Sequence, residues 1–180
     1  MKELFERIIA WHEKNLPAGL PYEPLPQIGF LSEELHEVNK EFIKGDIDAA
    51  VGEITDLIVF SVNAIVLLKG DKEIIEQRFF YGDYPVHDKV TIIGILNYRI
   101  FKINDISVPE HKRFNPWRYK DLIESCVKII FSLGYSPELA LEETVKKIES
   151  RRGAWDSSIG KWVKEKNQMD VYKPDYSLAN

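Results

Sequence analysis

The segment Leu31–Leu68 constrains the fold most strongly, because it has the pattern of two helices joined by a very short turn. Gly45 suits the left-handed backbone conformation that ends a helix, and Asp46 suits the N-cap of the next helix. Leu31–Lys44 is therefore predicted to form one helix and Ile47–Leu68 a second. A turn this tight makes the two helices antiparallel neighbours.

Four acidic residues lie symmetrically about this turn. Glu37 is eight residues before Gly45, and Glu53 is eight residues after it. Glu34 and Asp56 are eleven residues before and after the same glycine. Because a helix rises ~1.5 Å per residue, each pair lies at nearly the same height across the hairpin. Acids three residues apart share one helix face, so the pattern predicts that the four carboxylates converge.

The second acidic pair lies beside one of the least polar stretches of the chain. Asp56 is followed by twelve uncharged residues, Leu57–Leu68. Carboxylates that converge in such surroundings lose hydration and repel one another unless a positive charge joins them. Mg²⁺ meets that need, since it combines a few carboxylates with waters and substrate phosphates. We therefore predict a site for Mg²⁺, with Mn²⁺ as the alternative ion, whose ligands are Glu34, Glu37, Glu53 and Asp56.

Two other interpretations compete with this metal site. A glutamate-rich helix is most often a solvated face, and Glu33 is expected to point toward solvent. Glu33 and His36 also match one Glu-x-x-His element of a di-iron bundle. That fold needs a second such element on another helix, and none of the other histidines has a glutamate three residues earlier. The di-iron interpretation therefore fails on ligand count.

Composition and charge limit the class of protein. The chain has 180 residues, 44% of them hydrophobic and 29% charged, as expected of one globular domain. The net charge of −5 disfavours a protein that coats nucleic acid. A single cysteine, Cys126, excludes a disulfide framework and favours a cytoplasmic location. The uncharged run Leu57–Leu68 is shorter than the ~20 residues that cross a bilayer, so no membrane association is expected.

Helical periodicity also dominates outside the hairpin. Apolar residues recur every three or four positions in Leu4–Trp11, Ile93–Ile103 and Ile123–Leu133. Ser136 and Pro137 form a favourable helix start, and dense turn residues interrupt the pattern at 16–26, 81–85 and 104–116. No strong strand or hairpin signal occurs. We predict one all-α domain over 1–180, a bundle of about six or seven helices, with a helical insertion at 69–120 and a C-terminal tail at 153–180.

Two segments resemble a known enzyme superfamily. "EELHE…EITD", Glu33–Glu37 and Glu53–Asp56, resembles the EExxE…ExxD signature of the all-α nucleoside triphosphate pyrophosphohydrolases. These include MazG-like enzymes, dimeric dUTPases and phosphoribosyl-ATP pyrophosphohydrolases. "SLGYSPELALEETVKKIESRRG", Ser132–Gly153, is similar to the later helix of MazG-like proteins. The two segments with the helices around them cover roughly half of the chain.

The resemblance implies Mg²⁺-dependent hydrolysis of a nucleoside triphosphate to the monophosphate and pyrophosphate. Glu34, Glu37, Glu53 and Asp56 match the ligand positions, whereas Glu33 carries no ligand role. Glu34 would also accept the proton of the attacking water. Lys147 and Arg151 match the basic residues that contact phosphate in these enzymes.

The resemblance also bears on the insertion and on assembly. Residues 69–120 resemble the extra helices that help to form the nucleobase pocket of dimeric dUTPases. Members of the superfamily form dimers or dimers of dimers. The apolar circumference of Leu57–Leu68 points the same way, since one hairpin partner covers only part of it. We expect a homodimer at least.

The tail has two interpretations. Trp155, Lys161 and Trp162 lie between Gly and Ser residues, a composition that suits a flap over the nucleotide or an arm packed on a partner subunit.

The function has two alternatives. Instead of a pyrophosphohydrolase, the chain could be a non-catalytic helical interaction module that binds metal only structurally. A carboxylate metalloenzyme of another chemistry is the third hypothesis. The basic residues Lys147 and Arg151 favour the first function, because a structural metal has no need of phosphate partners.

Overall fold

A computed structural model describes residues 1–20, 23–68, 88–105, 115–158, 161–165 and 171–180. Within these ranges the fold is helical, with one small two-stranded sheet, which confirms the all-α prediction. The elements in chain order are α1 (Lys2–Asn15), α2 (Pro24–Lys44), α3 (Ile47–Leu67), α4 (Lys89–Ile103), α5 (Pro116–Ser132), α6 (Pro137–Ser150), β1 (Gly153–Asp156), β2 (Lys161–Lys164) and a 3₁₀ helix (Tyr176–Ala179).

The predicted turn between α2 and α3 is present with the predicted chemistry. Gly45 has a φ of 81° and ends α2. The Asp46 carboxylate accepts a hydrogen bond of 2.9 Å from the backbone N–H of Ala49 and caps α3. The start of α2 differs from the prediction, since the helix begins at Pro24 and not at Leu31. Prolines in the first turn fit because those N–H groups have no intrahelical partner.

Helix α3 lies at the centre of the described fold. It packs against α1, α2, α5, α6 and the 3₁₀ helix, and Leu57, Ile58 and Val62 have no exposed surface. It is long and apolar enough to cross a membrane, but 67% of its most apolar window is buried in this core. The chain itself covers most of Leu57–Leu68, whereas Phe60, Val66 and Leu68 stay half-buried, so this surface does not by itself require a second protomer. Assembly stays a prediction.

The C-terminal tail folds back onto the bundle. Strands β1 and β2 are antiparallel, with Gly153 opposite Lys164 and Trp155 opposite Trp162. Strands of four residues are too short for a clear alternating pattern, which explains why no hairpin was predicted. The 3₁₀ helix is attached to the start of α6 by a hydrogen bond of 2.6 Å from the Ser136 N–H to the Ala179 carbonyl.

The predicted insertion at 69–120 is described only in part. Residues 69–87 and 106–114, with the predicted break at 81–85, lie outside the described residues. Helix α4 and the first turn of α5 occupy the described part and are helical as predicted. Ile92, Leu96 and Ile100 of α4 are buried in the core, so this part of the insertion belongs to the bundle.

Candidate metal centre

Three of the four predicted ligands come together in the structure. Glu34 of α2 and Glu53 and Asp56 of α3 each offer a carboxylate oxygen, and these oxygens lie within 4.8 Å of one another. All three side chains are half-buried. Oxygen ligands at about 2.0–2.6 Å from a cation lie at most about 4–5 Å apart, so the three atoms can share one ion. We call these residues the acidic triad.

The triad is electrostatically unfavourable without a cation. Burial, followed by the charges of Asp56 and Glu53, raises the pKa of Glu34 to about 8. Burial and the charge of Asp56 likewise raise the pKa of Glu53. An all-oxygen set of hard, crowded carboxylates is the ligand chemistry that Mg²⁺ and Mn²⁺ prefer. The residues present therefore fit the predicted metal.

Glu37, the fourth predicted ligand, lies outside the triad. Its carboxylate accepts a hydrogen bond of 2.5 Å from Lys40 Nζ, one turn further along α2. This bond lowers the pKa of Glu37. The charge of Glu37 still raises the pKa of Glu53, so it remains within electrostatic reach, and its role as a ligand stays a prediction. Glu33 is exposed, as expected.

Lys147 of α6 makes direct contact with the triad. Its Nζ donates to Asp56 Oδ2 at 2.6 Å, and the two side chains are only 15% and 14% exposed. Burial is the largest influence and lowers the pKa of Lys147, but the charges of Asp56 and Tyr176 and the hydrogen bond to Asp56 together outweigh it, so the net shift is upward. The predicted basic residue thus supplies one positive charge to a cluster of three carboxylates.

Arg151 lies beside Lys147 but not on the same helix. Helix α6 ends at Ser150, and Arg151 has extended backbone with φ −73° and ψ 135°. Its charge opposes that of Lys147, so the two cations are close together. The four-residue spacing of Lys147 and Arg151 predicts that one helix presents both on one face. That prediction is wrong, because α6 ends before Arg151.

Lys164 is a third cation near the triad, and it was not among the predicted site residues. Burial and the charge of Arg151 lower its pKa, whereas the charges of Asp56 and Glu34 act in the opposite direction. Lys164 is placed there by the pairing of β2 with β1. Without that pairing, its position in the sequence carries no signal of this role.

A series of three hydrogen-bonded hydroxyl groups lies next to the triad. Thr55 Oγ1 lies 2.5 Å from Thr144 Oγ1, which lies 2.8 Å from the hydroxyl oxygen of Tyr176. Thr55 precedes Asp56 on α3, and Thr144 is one turn before Lys147 on α6. The hydrogen bonds between these hydroxyl groups therefore join α3 to α6 beside the ion pair of Lys147 with Asp56. Gly52 is the one sequence signal, since a Cβ there would lie 2.5 Å from the Tyr176 ring.

The three residues of the predicted flap belong to the β-hairpin formed by β1 and β2. Trp162 packs edge-on against Trp11 of α1, with ring centroids 5.3 Å apart. Trp155 is half-buried, and the side chain of Lys161 lies outside the described residues. Trp155, Trp162 and Lys164 share one face, because paired residues and alternate residues of an antiparallel ladder do so. Whether the hairpin opens and closes as a flap stays a prediction.

Comparison of the chain with protein-family profiles, curated protein sequences and solved structures finds no match. The resemblance to the all-α nucleoside triphosphate pyrophosphohydrolases therefore rests on the quoted motif residues. The geometry adds an independent observation, which is the convergence of three of those residues beside Lys147.

Proposed function

We propose that this chain is a Mg²⁺-dependent nucleoside triphosphate pyrophosphohydrolase, with Mn²⁺ as the alternative ion. The observation that supports it most is the acidic triad with its oxygens within 4.8 Å of one another and Lys147 in contact with one of them. Carboxylates for metal and cations for phosphate are the two sets of groups that hydrolysis of a phosphoric anhydride requires.

The residues divide the chemistry between them. When bound, Mg²⁺ would neutralise non-bridging phosphate oxygens and lower the pKa of a coordinated water. Glu34 would accept the proton of the attacking water, as the resemblance implies. Lys147, Arg151 and Lys164 supply positive charge on one side of the triad, where they can bind the phosphate chain.

A non-catalytic module is the second candidate, and one observation favours it. The 2.6 Å contact between Lys147 and Asp56 already compensates part of the acidic charge, as in a purely structural ion-pair cluster. The two functions differ in what Lys147 does when a triphosphate is added. An enzyme must use Lys147 for phosphate, so Lys147→Met should abolish turnover. A structural cluster should only lose stability.

A screen of the eight common NTPs and dNTPs tests the proposal. Pyrophosphate and nucleoside monophosphate are measured separately, with Asp56→Asn as the inactive variant and the exposed Glu33→Gln as its matched control. We expect equal amounts of pyrophosphate and monophosphate from the wild type and from Glu33→Gln. Orthophosphate as the first product, or equal turnover in all three proteins, would contradict the proposed function.

A further inference from the structure

The C-terminal segment, residues 171–180, is attached to α6 at both ends of that helix. At the end of α6, the Tyr172 N–H donates a hydrogen bond of 2.9 Å to Ser150 Oγ. At its start, the Ser136 N–H donates to the Ala179 carbonyl at 2.6 Å. The helix has 14 residues, so the segment follows it over about 21 Å.

Glu143 of α6 fixes the middle of the segment. Its carboxylate accepts hydrogen bonds from the Tyr172 hydroxyl at 2.5 Å and from the Asp175 N–H at 2.9 Å. Glu143 is only 4% exposed. Hydrogen bonds to an ionised acceptor are roughly twice as strong as those between neutral groups. The part of the segment that leads into Tyr176 is therefore held at a defined place on α6.

Tyr176 connects this segment to α3. A Cβ atom at Gly52 of α3 would lie 2.5 Å from the Tyr176 ring, so only a glycine leaves room for the ring in its present place. The residue is 8% exposed, and its 3₁₀ helix packs against both α3 and α6. Tyr176 thus lies between the helix that bears Asp56 and the helix that bears Lys147.

The hydrogen bonds of Tyr176 have a fixed direction. Thr55 donates its one hydroxyl proton to the Gly52 carbonyl at 2.7 Å. In the 2.5 Å contact between the two threonines, Thr144 is therefore the donor and Thr55 the acceptor. Thr144 then has no second proton, so the Tyr176 hydroxyl donates to it at 2.8 Å. Tyr176 has no proton left for a substrate, and its hydroxyl acts on the site through Thr144.

Thr144 transmits this contact to the ion pair at the triad. It lies one turn before Lys147 on the same face of α6, and Lys147 Nζ donates to Asp56 Oδ2 at 2.6 Å. A lysine ammonium sits on a flexible four-carbon stem, so its position depends on where the helix that carries it is held.

We propose that Tyr176 is a positioning residue, through which the C-terminal segment holds Lys147 beside Asp56. The use of Lys147 as a phosphate ligand rests on the proposed function, whereas its position does not. A group displaced by about 1 Å can cost a reaction ~100-fold in rate. The segment 171–180 is therefore part of the site, although none of its residues contacts the substrate.

Acetylation of lysines under native conditions tests the proposal without metal, nucleotide or turnover. The full chain is treated with N-hydroxysuccinimidyl acetate, and the rate at each lysine is measured by mass spectrometry of peptides. The side chain of Lys147 is 15% exposed and that of Lys120 on α5 is 10% exposed, so both should react slowly. In Tyr176→Phe the rate at Lys147 should rise about 3-fold or more, the effect of one lost buried hydrogen bond. The rate at Lys120 should not change.

Lys120 separates a positioning role from a purely structural one, because global unfolding would expose both lysines. Tyr98→Phe is the matched control at an exposed position and should react like the wild type. Tyr176→Ala also removes the ring over Gly52 and should raise the rate at Lys147 further. If that variant fails to fold, Tyr176→Phe alone decides. An unchanged rate at Lys147 in Tyr176→Phe, or an equal rise at Lys120, would overturn the proposal.

Binding of pyrophosphate in MgCl₂ distinguishes failure of this inference from failure of the proposed function. Lys147→Met should raise the Kd at least ~10-fold and Tyr176→Phe about 3-fold. Because Tyr176 acts through Lys147, the double variant should bind no more weakly than Lys147→Met. A further loss of about 3-fold in the double variant would overturn the positioning role. Unchanged affinity in Lys147→Met would refute the phosphate site, whereas selective acetylation of Lys147 in Tyr176→Phe would still establish the positioning role.

Discussion

Replacing Glu34 by Gln should stabilise the metal-free protein at high pH. The pKa of Glu34 is raised from 4.5 to about 8 by burial and by the charges of Asp56 and Glu53. One pH unit corresponds to about 1.4 kcal/mol, so ionising Glu34 disfavours the folded state by at most about 5 kcal/mol. Glu53 shares the repulsion and the carboxylate keeps part of its hydration, so we expect about 2 kcal/mol.

The pH dependence fixes the sign of this effect. Below pH 4.5 the carboxyl group is protonated in both the folded and the unfolded protein, and the penalty is absent. The penalty grows as the pH rises from 4.5 and is complete above about 8. Glu34→Gln should therefore be about 2 kcal/mol more stable than the wild type at pH 9 and only about 0.8 kcal/mol more stable at pH 5.

Urea unfolding in EDTA at these two pH values measures the difference, with Glu33→Gln as the matched control. The control should follow the wild type at both values, because Glu33 is exposed. A Glu34→Gln protein that is less stable than the wild type at pH 9 would refute the reasoning. A gain of equal size at pH 5 and pH 9 would refute it as well, since the gain would then not come from ionisation.

Three further predictions concern neighbouring residues. Asp56→Asn should abolish nucleotide turnover. Glu37→Gln should reduce turnover less, because Glu37 is paired with Lys40 outside the triad. Equal losses of turnover in steady-state assays would make Glu37 a full ligand. Tyr176→Phe should lower the free energy of unfolding by about 1–2 kcal/mol, since its hydroxyl is hydrogen-bonded and buried; an unchanged urea midpoint would show that this bond adds nothing. Lys164→Gln should raise KM for the nucleotide about 10-fold or more, because one charged contact to phosphate is lost. The change in kcat should be smaller. An unchanged KM would show that Lys164 does not bind phosphate.

The helical hairpin could be predicted from sequence because its determinants are local. Gly45 and Asp46 set the turn, and the helical rise then fixes the heights of Glu34, Glu53 and Asp56. Each of these steps depends on residues close in sequence and on helix geometry. The hairpin and the convergence of these three carboxylates follow from the same few residues.

The rest of the site depends on contacts between distant segments. Spacing placed Glu37 level with Glu53, but it could not show that Lys40 takes the Glu37 carboxylate. Lys164 reaches the triad only through the pairing of β1 with β2, and Tyr176 only through the return of the C-terminus to α6. Neither short strands nor a single 3₁₀ turn has a periodicity that a sequence pattern can reveal.

The apolar character of α3 shows a second limit of the sequence. A helix that is apolar all round is buried, but the pattern does not say whether its cover comes from the same chain or from a partner. Here α1, α5 and α6 pack around it. Whether that surface is free for self-association depends on where these three helices lie. The periodicity of α3 alone does not reveal their positions.

Titration calorimetry with Mg²⁺ tests the central claim most directly, which is that the acidic triad binds a divalent cation. The full chain, Glu53→Gln and the control Glu33→Gln are titrated with MgCl₂ at pH 7.5 in the presence of pyrophosphate, and pyrophosphate titrated without protein is subtracted. We expect saturable binding to the wild type and to Glu33→Gln, and an affinity at least ~10-fold lower for Glu53→Gln, because one of three converging carboxylates is lost. No saturable binding to the wild type, or equal affinity in all three proteins, would contradict the account.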